Sequence, residues 1–435
     1  GISSILRRIS PMQDRWPNPE LSIGEYLGRI DRTNFWEAKG PAREAFNELG
    51  PDIKDYLERT LEPVSTPWVT WSMYMCGVDQ RKVAPTIMFC CEVASLRQDV
   101  RNAIRNSGLL DSYRGMKTGH MATAPRFNQL MPLGDEYSLE FSWATHPLVI
   151  HHVSPVEGVA GSRISVGLYT DTEPAWRKAT IGGIIQVKEK YYYTTVAHVF
   201  ETVHEETGDS NTFPVDDNQY VEIDSDDVGD DELETHRSPH ARHHRQEPEQ
   251  DRYRRQDPER EIPRSATRPT RSTLQRILPP PFIMSLDEPH SDLDYALIEA
   301  KDPDHQMANV LKHFTVHDED LPMEIDHIIK LGQEDKEIVA ISVRGPVPGR
   351  MSGTPVYARA PGSRVFEELY SVQLSGPVEV GDSGAWILDR ESQSWCGYIV
   401  AGSPGSGAAL VVPSYHLFED IERRMGIRPS LPSSS

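Results

Sequence analysis

The sequence predicts a mainly β chain that closes on a helix and is preceded by a separate N-terminal α+β region. Three observations carry this. Six strand-like runs follow one another near the C-terminus, "EIVAISV", "GTPVYAR", "ELYSVQL", "GAWILD", "CGYIVAG" and "AALVVPS", with short turns between most of them. From about Ser162 three further runs, "RISVGLY", "ATIGGIIQV" and "KYYYTTVAHVF", are rich in β-branched and aromatic residues, the composition of strands. The chain then ends in "SYHLFEDIERRMG", an amphipathic helix with Ser414 expected at its cap and Gly426 just past its end. Many short strands with a single terminal helix indicate a barrel or sandwich.

Between residues 20 and 150 the texture is mixed. "SIGEYLGRIDR" and "PAREAFNELGPDIKDYLERTL" carry helical spacing, the second with Pro at its entry. "PWVTWSMYMCG" and "APTIMFCCEVA" read as strands, and "SLRQDVRNAIRNSGLL" as a helix with Ser95 as the expected N-cap. Residues 1–19 and 429–435 are expected to be tails. Residues 205–280 pass from an acidic block into one rich in Arg, His and Pro. Such a segment buries too little apolar surface to offset its ordering entropy, so a disordered insert is expected.

Bulk properties exclude several functions. The 435 residues carry a net charge of −21, which opposes broad contact with nucleic acid or anionic membrane. No run reaches the roughly 18 apolar residues of a membrane span. The opening "GISSILRRISPMQDRW" is basic but has no apolar core, unlike a signal peptide. The four cysteines form neither a CxxC pair nor a disulfide framework. A reducing compartment, cytoplasmic or nuclear, is therefore expected. Cys90 and Cys91 read as buried strand residues, and the scattered His120, His146, His151 and His152 as structural or exposed. No metal and no cofactor is expected.

One constellation stands out. A serine hydroxyl needs a base, a carboxylate to orient that base, and donors for an oxyanion. Ser383 lies in "GDSGAW", His198 ends the strand "YYYTTVAHVF", and Asp294 opens the apolar run in "DLDYALIEA". Asp292 competes with Asp294, which directly precedes the apolar "YALI". A second Gly-Asp-Ser, at residues 208–210, has no strand after it.

These motifs resemble those of chymotrypsin-like (trypsin-fold, PA clan) serine proteases. "GGIIQVKEKYYYTTVAHVF" resembles the family's Gly-Gly strand, hairpin and Ala-Ala-His motif, "DYALI" its Asp-Ile-Ala-Leu motif, and "GDSGAW" its nucleophile loop. "CGYIVAGS" resembles the strand that lines the specificity pocket. The order His, Asp, Ser is also the family's. The resemblance covers residues 155–204 and 281–428 and implies a double six-stranded antiparallel β-barrel of trypsin-like type with a C-terminal helix. It implies a serine endopeptidase with His198 as base and acid, Asp294 as its orienter, Ser383 as nucleophile, and the Gly381 and Ser383 N–H groups as oxyanion hole. Pro377, at the pocket base, and Gly402 and Ala409, on its walls, imply a preference for small or apolar side chains. The N-terminal region resembles segments of fungal proteins, which implies no activity for it.

The chain departs from the family at several points. The usual cysteines beside the histidine and before the loop are absent, and no Ile-Val-Gly-Gly terminus stands near residue 160. Non-zymogen members are the nearer analogy. Val400 replaces the serine that supports the orienting aspartate. An inactive pseudoprotease acting as a binding or scaffold module is therefore the alternative, and a third is that function resides in the N-terminal region. The expected partners are a protein or peptide substrate, and a protein partner for the insert or the N-terminal domain.

Overall fold

The computed structural model describes residues 15–63, 67–133, 149–153, 160–169, 174–200, 220–224, 293–299, 309–316, 319–332 and 334–433. The N-terminal region holds β1 (Ile23–Ile30), β2 (Thr33–Ala38), β3 (Val69–Gly77), β4 (Val83–Cys90), β5 (Lys117–Met121) and β6 (Met131–Pro132), with helices α1 (Gly40–Thr60) and α2 (Ala94–Ser107). Next come β7 (Val149–Val153), β8 (Ser162–Tyr169), β9 (Pro174–Ile181), β10 (Gly183–Val187), β11 (Lys190–Thr195), β12 (Glu222–Ile223), β13 (Ala296–Glu299), β14 (Asn309–Val316) and β15 (Glu319–Ile325). The C-terminal part contains β16 (Lys336–Ser342), β17 (Gly345–Arg359), β18 (Glu367–Leu374), β19 (Trp386–Asp389), β20 (Trp395–Gly402), β21 (Ala408–Pro413) and α3 (Ser414–Met425).

The chain is mainly β, and its centre is a closed antiparallel barrel of six strands. Pairing runs β16–β17–β18–β21–β20–β19 and returns to β16. Closure leaves no free edge. The strand β20 shows why its sequence reads as continuously apolar rather than alternating. Cys396 and Ile399 point into the barrel core with Ile387, Val411 and Leu374. Trp395, Tyr398 and Val400 pack on the other face, against residues of β8–β11 and β13. A strand covered on both faces has no polar side to show.

The earlier strands form smaller sheets, β7–β8–β9, β10–β11–β13 and the β14–β15 hairpin. Two glycines allow these to meet the barrel closely. A Cβ on Gly182 would fall 1.9 Å from Trp386 Cδ1, and one on Gly384 2.2 Å from the Thr180 carbonyl oxygen. Gly384 also has φ +92°, a region that favours glycine. The Trp386 indole stacks on Trp395 at 4.0 Å and donates to Thr194 Oγ1 at 2.9 Å, which ties the strand after Ser383 to the strand before His198.

The N-terminal strands join the same sheet as the barrel. β3 pairs antiparallel with the end of β17, from Val356↔Ser72 to Arg359↔Val69, and Trp71 stacks on Tyr357 at 4.1 Å. The helix α1 forms as its spacing predicts, burying Ala42, Phe46, Leu49, Ile53 and Leu57 against this sheet.

Four local expectations are corrected. "SIGEYLGRIDR" is not a helix but β1, in a hairpin with β2; Gly24 and Gly28 disfavour a helix there by about 1 kcal/mol each, and Gly28 takes φ +117°. α2 begins at Ala94 with Val93 at its cap and no side-chain capping bond, so Ser95 lies inside the first turn. Ser414 is the first residue of α3 rather than its cap, and its hydroxyl donates to the Trp395 carbonyl at 2.8 Å; Gly426 does end that helix in the left-handed region. Within the expected insert, residues 220–224 are held in place: β12 pairs with β5, and Arg101 reaches Glu222 Oε1 at 2.8 Å and Asp224 Oδ1 at 2.7 Å. Val221 and Ile223 supply the apolar contacts that the segment's overall composition hides. The rest of that insert, His146, Asp292 and the second Gly-Asp-Ser lie outside the described residues, as do the side chains of His151 and His152.

Candidate active site

The register of β11 and β13 brings His198 and Asp294 together. Thr195 pairs with Ala296, so the two chains continue past their last pair with Asp294 facing residues 197–198. Asp294 Oδ2 lies 2.5 Å from His198 Nδ1. Its other oxygen accepts the backbone N–H groups of Ala197 at 2.9 Å and His198 at 2.8 Å. Three bonds to one carboxylate fix both the carboxylate and the imidazole ring. With Asp294 Oδ2 on Nδ1, the tautomer protonated at Nδ1 is favoured and Nε2 is left as the basic nitrogen. The histidine is partly buried, its side chain 14% exposed.

Ser383 sits on the turn between the barrel's β18 and β19, with Gly381 at φ +98° and Gly384 at φ +92° on either side. The turn is clamped from the β9–β10 side. Thr180 N–H donates to the Ser383 carbonyl at 2.8 Å and Thr180 Oγ1 to the Gly381 carbonyl at 2.6 Å. Thr195 Oγ1 donates in turn to the Thr180 carbonyl at 2.9 Å, so the strand that leads to His198 also braces the serine turn.

Asp382 anchors the turn from below. Its Oδ2 accepts Arg344 Nη2 at 2.7 Å and the Glu379 N–H at 2.9 Å. Burial pushes this carboxyl above its ordinary pKa, while the Glu379 N–H, Arg344 and Arg163 oppose that rise. A side chain from within the barrel thus supplies the cation that pairs with Asp382. Arg344 was not singled out by sequence reasoning, because its link to Asp382 spans 38 residues and has no local signature.

The serine hydroxyl makes an unexpected pair of bonds. Ser383 Oγ accepts the Leu133 N–H at 3.0 Å and donates to the Val400 carbonyl at 3.3 Å. Hydrogen-bond reach from His198 to both partners was expected; it is met at Asp294, whereas among the described residues Ser383 Oγ bonds only to these two backbone groups. The Gly381 N–H, expected to be free as an oxyanion donor, donates to the Leu133 carbonyl. Leu133 therefore covers the serine, which is 0% exposed.

Of the expected pocket residues, Gly402 and Ala409 pair with each other across β20 and β21 and wall the space that holds Leu133. Pro377 is exposed, and its carbonyl accepts Arg344 Nη2 at 2.9 Å. The next residue, Val378, is the one that turns inward, fully buried beside Leu133 and Gly402. Burial pushes the Cys90 and Cys91 thiols up to about 12 and about 11, so neither is a thiolate at neutral pH. No cluster of three His, Cys, Asp or Glu able to hold a metal occurs among the described residues, nor does any helix there have the length and apolarity to cross a membrane.

No protein-family model matches the chain, and neither a curated protein nor a solved structure matches it.

Proposed function

We propose that the chain is a serine endopeptidase that hydrolyses peptide bonds through an acyl-enzyme. The observation that carries this reading is the His198–Asp294 pair, with the carboxylate bonded to Nδ1 at 2.5 Å and to two backbone N–H groups. That arrangement holds an imidazole ready to accept a proton at Nε2. In the proposed cycle Ser383 Oγ attacks the carbonyl carbon while His198 takes its proton. The Gly381 and Ser383 N–H groups stabilise the oxyanion. His198 then protonates the leaving amine, and water releases the acyl group by the reverse roles. Arg344 pairs with Asp382 and holds the turn in place.

The finer architecture belongs to the same reading: a trypsin-like double barrel, with β7–β11 and β13–β15 as the first lobe and the closed six-stranded barrel as the second. So do a protein substrate, an N-terminal recognition element, and an intracellular, non-zymogen enzyme. A pseudoprotease is the second reading, favoured by one observation. The Ser383 hydroxyl and the Gly381 N–H are both engaged by Leu133.

Labelling with a fluorophosphonate separates the two. Wild type and Leu133→Ala should label covalently, the latter faster, while Ser383→Ala and His198→Ala should not. Absence of labelling in both wild type and Leu133→Ala would leave the pseudoprotease reading.

A further inference from the structure

The segment ending at Leu133 lies against Ser383 in a manner that identifies it as more than a lining. Met131 and Pro132 form β6, which pairs antiparallel with β20, Gly402↔Met131 and Ala401↔Pro132. The next step of that register sets Leu133 beside Val400, whose carbonyl also accepts the Ser383 hydroxyl. The Asn128 N–H donates to Ser403 Oγ at 3.1 Å, so residues 128–133 run beside the C-terminal end of β20. The Leu133 side chain is fully buried, in the apolar cluster with Val378, Ile399 and Ala409. Its N–H lies on Ser383 Oγ, and its carbonyl oxygen is on the Gly381 N–H. The two bonds set the Leu133 backbone against both the Ser383 hydroxyl and the Gly381 N–H. An extended peptide, added as a strand and anchored by one apolar side chain, is how an endopeptidase substrate binds on its acyl side.

We propose that the chain is its own substrate, and that Ser383 cleaves the peptide bond between Leu133 and Gly134. This rests on the serine-peptidase reading and gives it a substrate class: an extended segment with leucine on the acyl side, preceded by proline. The hydroxyl turns from Val400 towards His198, gives its proton to Nε2, and forms a C–O bond to the Leu133 carbonyl carbon. The C–N bond breaks, and the nitrogen of Gly134 leaves as a new α-amine carrying the proton from His198. Water, activated by the same histidine, hydrolyses the ester, which regenerates Ser383 and leaves a Leu133 carboxylate. The chemistry is redox-neutral and consumes one water. The two pieces stay together, because β3 in the first pairs with β17 in the second.

The test is denaturing mass spectrometry of the full chain over a long incubation, with fluorophosphonate labelling run in parallel. Wild type should give fragments 1–133 and 134–435, while Ser383→Ala should lose at least about 10³-fold in cleavage rate. Gly134→Pro, which keeps the Leu133 side chain, should stay intact yet still label at Ser383. An intact wild type that labels at Ser383 would overturn self-cleavage and leave the peptidase reading standing. Fragments that arise equally in Ser383→Ala would also overturn it. An intact chain that never labels, even as Leu133→Ala, would overturn both.

Discussion

Asp294 is the residue whose replacement says most about how the site works. In the Asp294→Asn variant an amide N–H would face His198 Nδ1, the imidazole would take the opposite tautomer, and Nε2 would carry the proton instead of accepting one. The fold has little reason to change, because the remaining carbonyl oxygen can still accept the Ala197 and His198 N–H groups. Asp294→Asn should therefore lower kcat/KM on a leucine-terminated peptide ester by roughly 10³–10⁴-fold with an unchanged melting temperature. A loss of stability of similar rank to the loss of activity would mean that Asp294 serves the fold instead. Ser383, His198 and Asp294 could be read from sequence because each sits within a short motif at a strand end. Leu133 and Arg344 could not. "LMPLG" has no catalytic chemistry in it, and its meaning comes only from contact with a serine 250 residues away.

At the scale of elements, α3 carries a group that makes stability depend on pH. His416 is largely shielded on the helix, and burial, reinforced by Lys54 and Lys330, lowers its pKa to about 4. The unfolded chain takes up that proton near 6.5, so between about 4 and 6.5 the unfolded state holds more protons than the folded one. Stability then rises with pH across that window and is lost on acidification. Thermal melts between pH 7 and pH 5 should show a loss of about 2 kcal/mol attributable to this residue, and His416→Phe should flatten that part of the profile. An unchanged slope in the variant would assign the acid sensitivity elsewhere. Elements also differ in how far the sequence foretells them. α1 follows from its apolar spacing, whereas β1 imitates that spacing and becomes a strand because two glycines and a paired neighbour outweigh it. β12 was hidden for a different reason. Its two residues lie within a highly charged stretch, and Arg101 fixes Glu222 and the following Asp224, 121 and 123 residues away.

At the scale of the molecule, the barrel, its earlier strands and the N-terminal sheet all converge on Ser383. The barrel holds the Ser383 turn and Arg344, the ends of β11 and β13 hold the His198–Asp294 pair, and the N-terminal region supplies Leu133. The mainly β class and the C-terminal helix were legible from runs of strand residues and their turns. The joining of β3 to β17 was not, because pairing partners nearly 300 residues apart leave no trace in local composition. Under the proposed function, turnover would report on the assembled whole, with acylation the step that requires every part at once. The most direct measurement is the early time course of a p-nitrophenyl ester at substrate excess, with the chain at known concentration. An acyl-enzyme at Ser383 predicts a burst of about one equivalent of nitrophenolate per chain, followed by a slower steady state, and no burst in Ser383→Ala. A linear course with the same slope in wild type and Ser383→Ala would contradict the claim that this serine is a nucleophile.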